Sequence, residues 1–64
     1  MNLKEARMAA ELTQQQVADH LGVSRPTYIK MEKDPDSVSV VDAKHLAELF
    51  NCKVNDIFFG RNYS

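Results

Sequence analysis

Thr13-Gln14-Gln15-Gln16-Val17-Ala18-Asp19-His20-Leu21, then Gly22-Val23-Ser24, then Arg25-Pro26-Thr27-Tyr28-Ile29-Lys30-Met31-Glu32 decide how this chain folds. The first run reads as a short helix, the second as a tight turn and the third as another short helix. Each boundary has a physical reason. The Thr13 hydroxyl can accept from a free backbone N–H while Gln16, three residues on, reaches back, which is a capping box. Gly22 can take the positive φ that ends a helix without a Cβ penalty. Ser24 can cap the next helix, and Pro26 in its first turn gives up an N–H that would have no helical partner anyway. Two helices joined by a three-residue turn containing glycine form a unit whose second helix can lie in the major groove of DNA.

Outward from that unit the pattern stays helical. Leu3, Ala6 and Ala10 share a face at spacings of three and four, with Asn2 able to cap and Glu5 suited to the helix dipole. Val17, Ala18 and Leu21 face inward in the second helix. In the third, Tyr28 and Met31 share one side, while Arg25, Ile29 and Lys33 share another, joined by Pro26 and Lys30. Lys33-Asp34-Pro35-Asp36-Ser37 reads as a polar surface loop. Ser39, three residues before Asp42, marks a fourth helix whose inward positions are Val40, Ala43, Ala47 and Phe50, with Leu46 beside them. Asn51 can end it in the left-handed conformation. Asn55 begins a last short turn that presents Ile57 and Phe58. The expectation is an all-α, compact five-helix bundle over 1–59, with a loose tail at 60–64.

Composition bounds what such a bundle can do. The chain has 64 residues, enough for one small domain, and 44% hydrophobic residues, too many for a disordered chain. No run approaches the roughly 18 apolar residues that span a membrane, and no basic start precedes an apolar stretch, so neither membrane insertion nor a signal peptide is expected. The single cysteine suits a reducing cytoplasm. Net charge is −1, so any attraction to nucleic acid must be local.

Chemistry other than binding finds little support. His20 and His45 fall on different helices without an adjacent nucleophile, and with Cys52 they do not make a zinc site. Gly22 and Gly60 are the only glycines, so there is no phosphate-binding glycine loop. An enzyme is not expected, nor is a cofactor or a metal.

The chain resembles the phage-repressor and Cro-like helix-turn-helix family, also called the XRE family, over about Leu3 to Phe58. The resemblance rests on Leu12-Thr13-Gln14 with Val17-Ala18, on Leu21-Gly22-Val23-Ser24, on Met31-Glu32, and on Leu46-Ala47 and Ile57-Phe58 further on. Each is weak alone, and together at these spacings they are specific. Tyr28 and Ile29 stand where the family often has Ile and Ser, and Lys33-Asp34-Pro35 where an Asn-Gly turn is common. Cys52 takes the place of a common core valine, and a free cysteine packs as a small hydrophobe.

The resemblance implies a lambda-repressor-like bundle that places its third helix in the major groove of a pseudo-palindromic operator. Arg25 stands where family members carry a base-reading side chain, and a guanidinium can grip guanine O6 and N7. Pro26 and Ile29 can offer only apolar contact, to thymine methyls, and Lys30 can reach a base edge or a phosphate. Gln14 resembles the family's phosphate-binding glutamine, with Thr27, Tyr28 and Lys33 as secondary phosphate contacts. The competing view is that Arg25 and Lys30 merely solubilise an exposed face, that Ile29 meets a protein, and that the Tyr28 ring fills a core position. The resemblance also implies an ion pair between Arg7 and Glu32, against the alternative of two unrelated surface charges. Phe58, Phe59 and Tyr63 supply apolar surface for a homodimer on DNA.

Two functions of different class follow. One is a sequence-specific transcriptional regulator, a small phage repressor or Cro-like switch protein. The other is a protein-binding anti-repressor or repressor modulator on the same scaffold, favoured by net acidity and Ile29. An antitoxin that represses its own operon is a variant of the first.

Overall fold

The computed structural model describes residues 1–58. Within them lie five α-helices and no strand: α1 (Leu3–Ala9), α2 (Gln14–Leu21), α3 (Arg25–Lys33), α4 (Val40–Leu49) and α5 (Val54–Ile57). Among the described residues no helix is long and apolar enough to cross a membrane. Phe59 and the 60–64 tail lie outside the described residues.

Local chemistry sets the helix starts. Asn2 and Glu5 exchange backbone-to-side-chain hydrogen bonds of 2.8 Å each, closing a capping box on α1. Thr13 and Gln16 do the same for α2, at 2.8 and 3.0 Å. The Ser24 hydroxyl accepts from the Thr27 N–H at the start of α3, and that of Ser39 accepts from the Asp42 N–H at the start of α4. Gly22 ends α2 at φ +73°, and Asn51 follows α4 at φ +54°. Glu11, between α1 and α2, also adopts a left-handed conformation, at φ +59°. No turn residue marks that position in the sequence.

The core is one cluster drawn from every helix. Leu3 and Ala6 of α1 meet Val17 and Ala18 of α2 and Tyr28 and Met31 of α3. Ala43, Leu46 and Phe50 close it from the α4 side, with Ile57 and Phe58 beneath. Ala10, Leu21 and Cys52 pack against its edge, partly buried. Tyr28, Leu3, Leu46 and Val17 are the largest side chains removed completely from water. At about 25 cal/mol per Å² of apolar surface, such side chains supply most of the driving force available to a chain this short.

Three expectations need correction. Val40 is not an inward position of α4 but 69% exposed. It is the first residue of the helix and borders an open groove with Pro35, Val38 and Val54, and among the described residues no other element reaches over it. The Lys33–Ser37 segment is not wholly irregular, because α3 runs through Lys33 and Pro35–Ser37 forms a 3-10 turn. The last helix begins at Val54 instead of Asn55, held by a hydrogen bond from the Lys53 N–H to the Asp56 carboxylate at 3.2 Å.

Candidate nucleic-acid interface

Burial of one face of α3 determines what the other presents. Tyr28 and Met31 are locked into the core, so Arg25, Pro26, Thr27, Lys30 and Lys33 are exposed on the surface of the same helix. Ile29, between the two faces, is half-buried. The capped start of α3 fixes the Arg25 end. The Ser24 hydroxyl donates to the Thr27 hydroxyl oxygen at 2.9 Å, which leaves the Thr27 O–H free to donate outward.

The acid of α3 is turned inward. Arg7 donates from Nε to the Glu32 Oε2 at 2.6 Å, and its Nη1 reaches the Leu12 carbonyl at 3.0 Å. The pair is nearly dry, with side chains 11% and 7% exposed. Gln14, the first residue of α2, donates from Nε2 to the other carboxylate oxygen of Glu32 at 3.0 Å. Both oxygens are therefore engaged, and three helices converge on one carboxylate. Burial alone would push the Glu32 carboxyl up, but the hydrogen bonds from Arg7 and Gln14, with the nearby Tyr28 hydroxyl and the Arg7 charge, outweigh it and hold the group below its ordinary range. The consequence for the surface is electrostatic: Arg25, Lys30 and Lys33 stand without a competing acid on the same helix, although Asp34 and Asp36 lie exposed just beyond its end.

Tyr28 does not belong with the phosphate contacts. Its side chain is fully buried, so the hydroxyl cannot reach a ligand on the surface. That hydroxyl has no partner of ordinary hydrogen-bond geometry among the described residues. Burial first, and the nearby Glu32 carboxylate second, push the phenol well above its ordinary value. The carboxylate is close enough for its charge and lone pairs to be felt. Its two oxygens accept well-formed hydrogen bonds from Arg7 and Gln14 and keep further lone pairs, but the Tyr28 hydroxyl does not reach them in ordinary hydrogen-bond geometry.

Gln14 sits where its anticipated role requires, at the N-terminus of α2, but its carboxamide is tied to Glu32 and half-buried. Sequence reasoning missed this bond. The two residues are 18 positions apart, and no spacing rule connects them. Of the aromatic residues considered for self-association, Phe58 is buried in the core, which removes it as a dimer contact, while Phe59 and Tyr63 lie outside the described residues.

The remaining reactive side chains are dispersed. His20 and His45 are exposed, and among the described residues no group of His, Cys, Asp and Glu side chains could hold a metal ion. Cys52 is half-buried, and burial together with the Asp56 charge pushes its thiol up, away from the nucleophilic thiolate.

Comparison with known proteins agrees with this geometry. A helix-turn-helix family matches residues 3–57. An HTH-type transcriptional regulator of Archaeoglobus fulgidus is 38% identical over 56 residues, covering 88% of this chain and 79% of that protein. The HTH-type transcriptional regulator MJ0272 of Methanocaldococcus jannaschii is 43% identical over 56 residues, covering 88% of this chain and 85% of its own. The HTH-type transcriptional regulator YqaE of Bacillus subtilis is 35% identical over 51 residues, but the match covers only 44% of that longer protein. No solved structure matches at the same stringency. A capped helix, a left-handed glycine and a second capped helix, within a match that spans nearly all the described residues, place this chain in the XRE-type helix-turn-helix family.

Proposed function

We propose that the protein is a sequence-specific DNA-binding transcriptional regulator, a small repressor of the phage-repressor or Cro-like kind. The observation that carries this reading is the outward face of α3, with Arg25, Pro26, Lys30 and Lys33 exposed while Glu32 is neutralised internally. Arg25 and Lys30 read base edges in the major groove, with Pro26 and the exposed part of Ile29 against thymine methyls. Gln14, Thr27 and Lys33 hold the phosphate backbone, helped by the free N–H groups and partial positive charge at the start of α2. One short helix in one groove makes few contacts, so two chains occupy half-sites of a pseudo-palindromic operator about 34–36 Å apart. The relatives named HTH-type transcriptional regulators support the regulatory role. In vitro selection from random duplexes, followed by footprinting with measured stoichiometry, tests it. A symmetric site holding two chains is the expected result, and failure to enrich any sequence would overturn it.

A second reading has its own observation. Val40 is 69% exposed in a largely apolar groove with Pro35, Asp36, Val38, Val54 and Phe58, and its chain neighbour Val41 is 61% exposed. Adjacent exposed valines with a net charge of −1 suit a protein-binding modulator on the same scaffold, either an anti-repressor or a partner of a repressor. Capture of one defined protein by the wild type and not by a Val40→Asp variant, with no DNA binding, would favour it.

A further inference from the structure

Gln14 faces two demands at once: a bond to a buried carboxylate inside the protein and, on the DNA-binding reading, a bond to a phosphate outside it. The structure determines how both can be met. A carboxamide nitrogen carries two hydrogens roughly 120° apart. One is directed at the Glu32 Oε1, 3.0 Å away. Glu32 cannot swing to follow a moving glutamine, because its other oxygen is held by Arg7 at 2.6 Å and Arg7 is tied to the Leu12 carbonyl. The half-buried Gln14 side chain is thus ordered before any ligand arrives. Gln14 Nε2 makes no second hydrogen bond among the described residues, and Gln14 is the first residue of α2, where backbone N–H groups have no helical acceptor.

We propose that Glu32, which touches no DNA, is a positioning residue for backbone binding: it holds the Gln14 carboxamide in one orientation so that its remaining N–H is presented to a phosphate. The inference rests on the DNA-binding reading and adds a function to the buried ion pair. An unanchored glutamine would have to give up the freedom of three side-chain torsions when it bound phosphate; here that cost is met when the protein folds. The same carboxylate anchors α1 to α3 through Arg7. The phosphate-contacting amide at the head of α2 and the base-reading face of α3 are therefore referenced to one buried point.

The test is a binding cycle on a selected duplex. Gln14→Ala is expected to weaken the wild type about fivefold, the range of one neutral hydrogen bond. In the paired Arg7→Met, Glu32→Met background, which leaves no acceptor for the Gln14 amide and no unpaired buried charge, Gln14→Ala should cost less than about twofold. Should that pair fail to fold by circular dichroism, Arg7→Leu with Glu32→Leu supplies the background. In either background base preference and the slope of log affinity against log salt should match the wild type, since the cationic contacts and α3 face are intact. Loss of the fold or of the α3 face would move both. Equal cost of Gln14→Ala in wild type and background overturns the positioning role while leaving DNA binding in place. Absence of binding to any duplex by the wild type overturns the DNA-binding reading, and this inference with it.

Discussion

Arg7 of α1 and Glu32 of α3, 25 residues apart in the chain, meet at 2.6 Å with both side chains almost excluded from water. A buried pair of this kind is expensive to break and contributes little net stability relative to an apolar pair of the same volume. Its value to this molecule is positional: it fixes α3 against α1 and removes the acid of α3 from the exposed cationic face.

Breaking the pair one side at a time should therefore be severe. Arg7→Met and Glu32→Met are each expected to cost about 3 kcal/mol, because each leaves a charge buried without its partner. The double replacement by methionine should cost far less than the sum. Urea unfolding of the four proteins gives the coupling energy, and additive costs would show that the two side chains do not interact in solution.

The pH dependence follows from the same carboxylate. The folded Glu32 carboxyl lies below its ordinary value of 4.5. Its contribution is complete above that value, begins to fade as pH falls below it, and is lost once pH passes through the lower folded-state value. Gln14→Ala removes one of the hydrogen bonds responsible, so its stability should fall less steeply with acid than that of the wild type. Urea midpoints between pH 7 and pH 3 measure the difference, and parallel curves would argue against a role for Gln14 in holding the charge.

At the alkaline end Tyr28 sets the limit. Its buried phenol is raised above the ordinary value of 10.0. The stability tied to its neutral form is whole below that pH and disappears as pH climbs toward the folded-state value. Tyr28→Phe should abolish this alkaline loss. At neutral pH it should change stability by about 1 kcal/mol or less, since the hydroxyl it removes has no hydrogen-bond partner. A loss of several kcal/mol at pH 7 would mean that the hydroxyl makes a bond in solution.

Gly22 tests backbone strain in isolation. Its φ is +73°, and a Cβ built there would meet nothing within 4 Å. Gly22→Ala should cost about 1–2 kcal/mol from conformation alone, and Gly22→Asn less, because asparagine tolerates the left-handed region. Thermal unfolding ranks the three, and an alanine variant as stable as wild type would refute the assignment of strain.

On DNA, Arg25 and Lys33 should separate cleanly. Arg25→Ala is expected to relax preference at one operator position by about 1–3 kcal/mol. Lys33→Ala should weaken all sequences alike and lower the salt slope by about one unit. Binding titrations over a salt series on cognate and mismatched duplexes provide both readouts. Unchanged specificity in the Arg25 variant would remove that residue from base reading.

Much of this architecture was legible in the chain because its determinants are local. Asn2 with Glu5, Thr13 with Gln16, and Gly22 followed by Ser24 act within a turn of helix, where spacing and side-chain chemistry suffice. The inward faces of α1, α2 and α3 follow from the 3.6-residue period for the same reason. Family resemblance was needed to connect Arg7 with Glu32. Val40 was misread because periodicity says which residues share a face and not where along a helix the neighbouring elements stop covering it.

What the sequence by itself determined is therefore the set of helices, their caps, the tight turn between α2 and α3, and which side of α3 is apolar. Only tertiary structure decided that Tyr28 is withdrawn completely, that Glu11 takes a left-handed backbone, and that Gln14 is bound to Glu32 across 18 residues. Helix formation answers to neighbours three and four positions away, whereas burial of a hydroxyl or the meeting of an amide and a carboxylate depends on how whole helices pack. That packing is settled by the shared core.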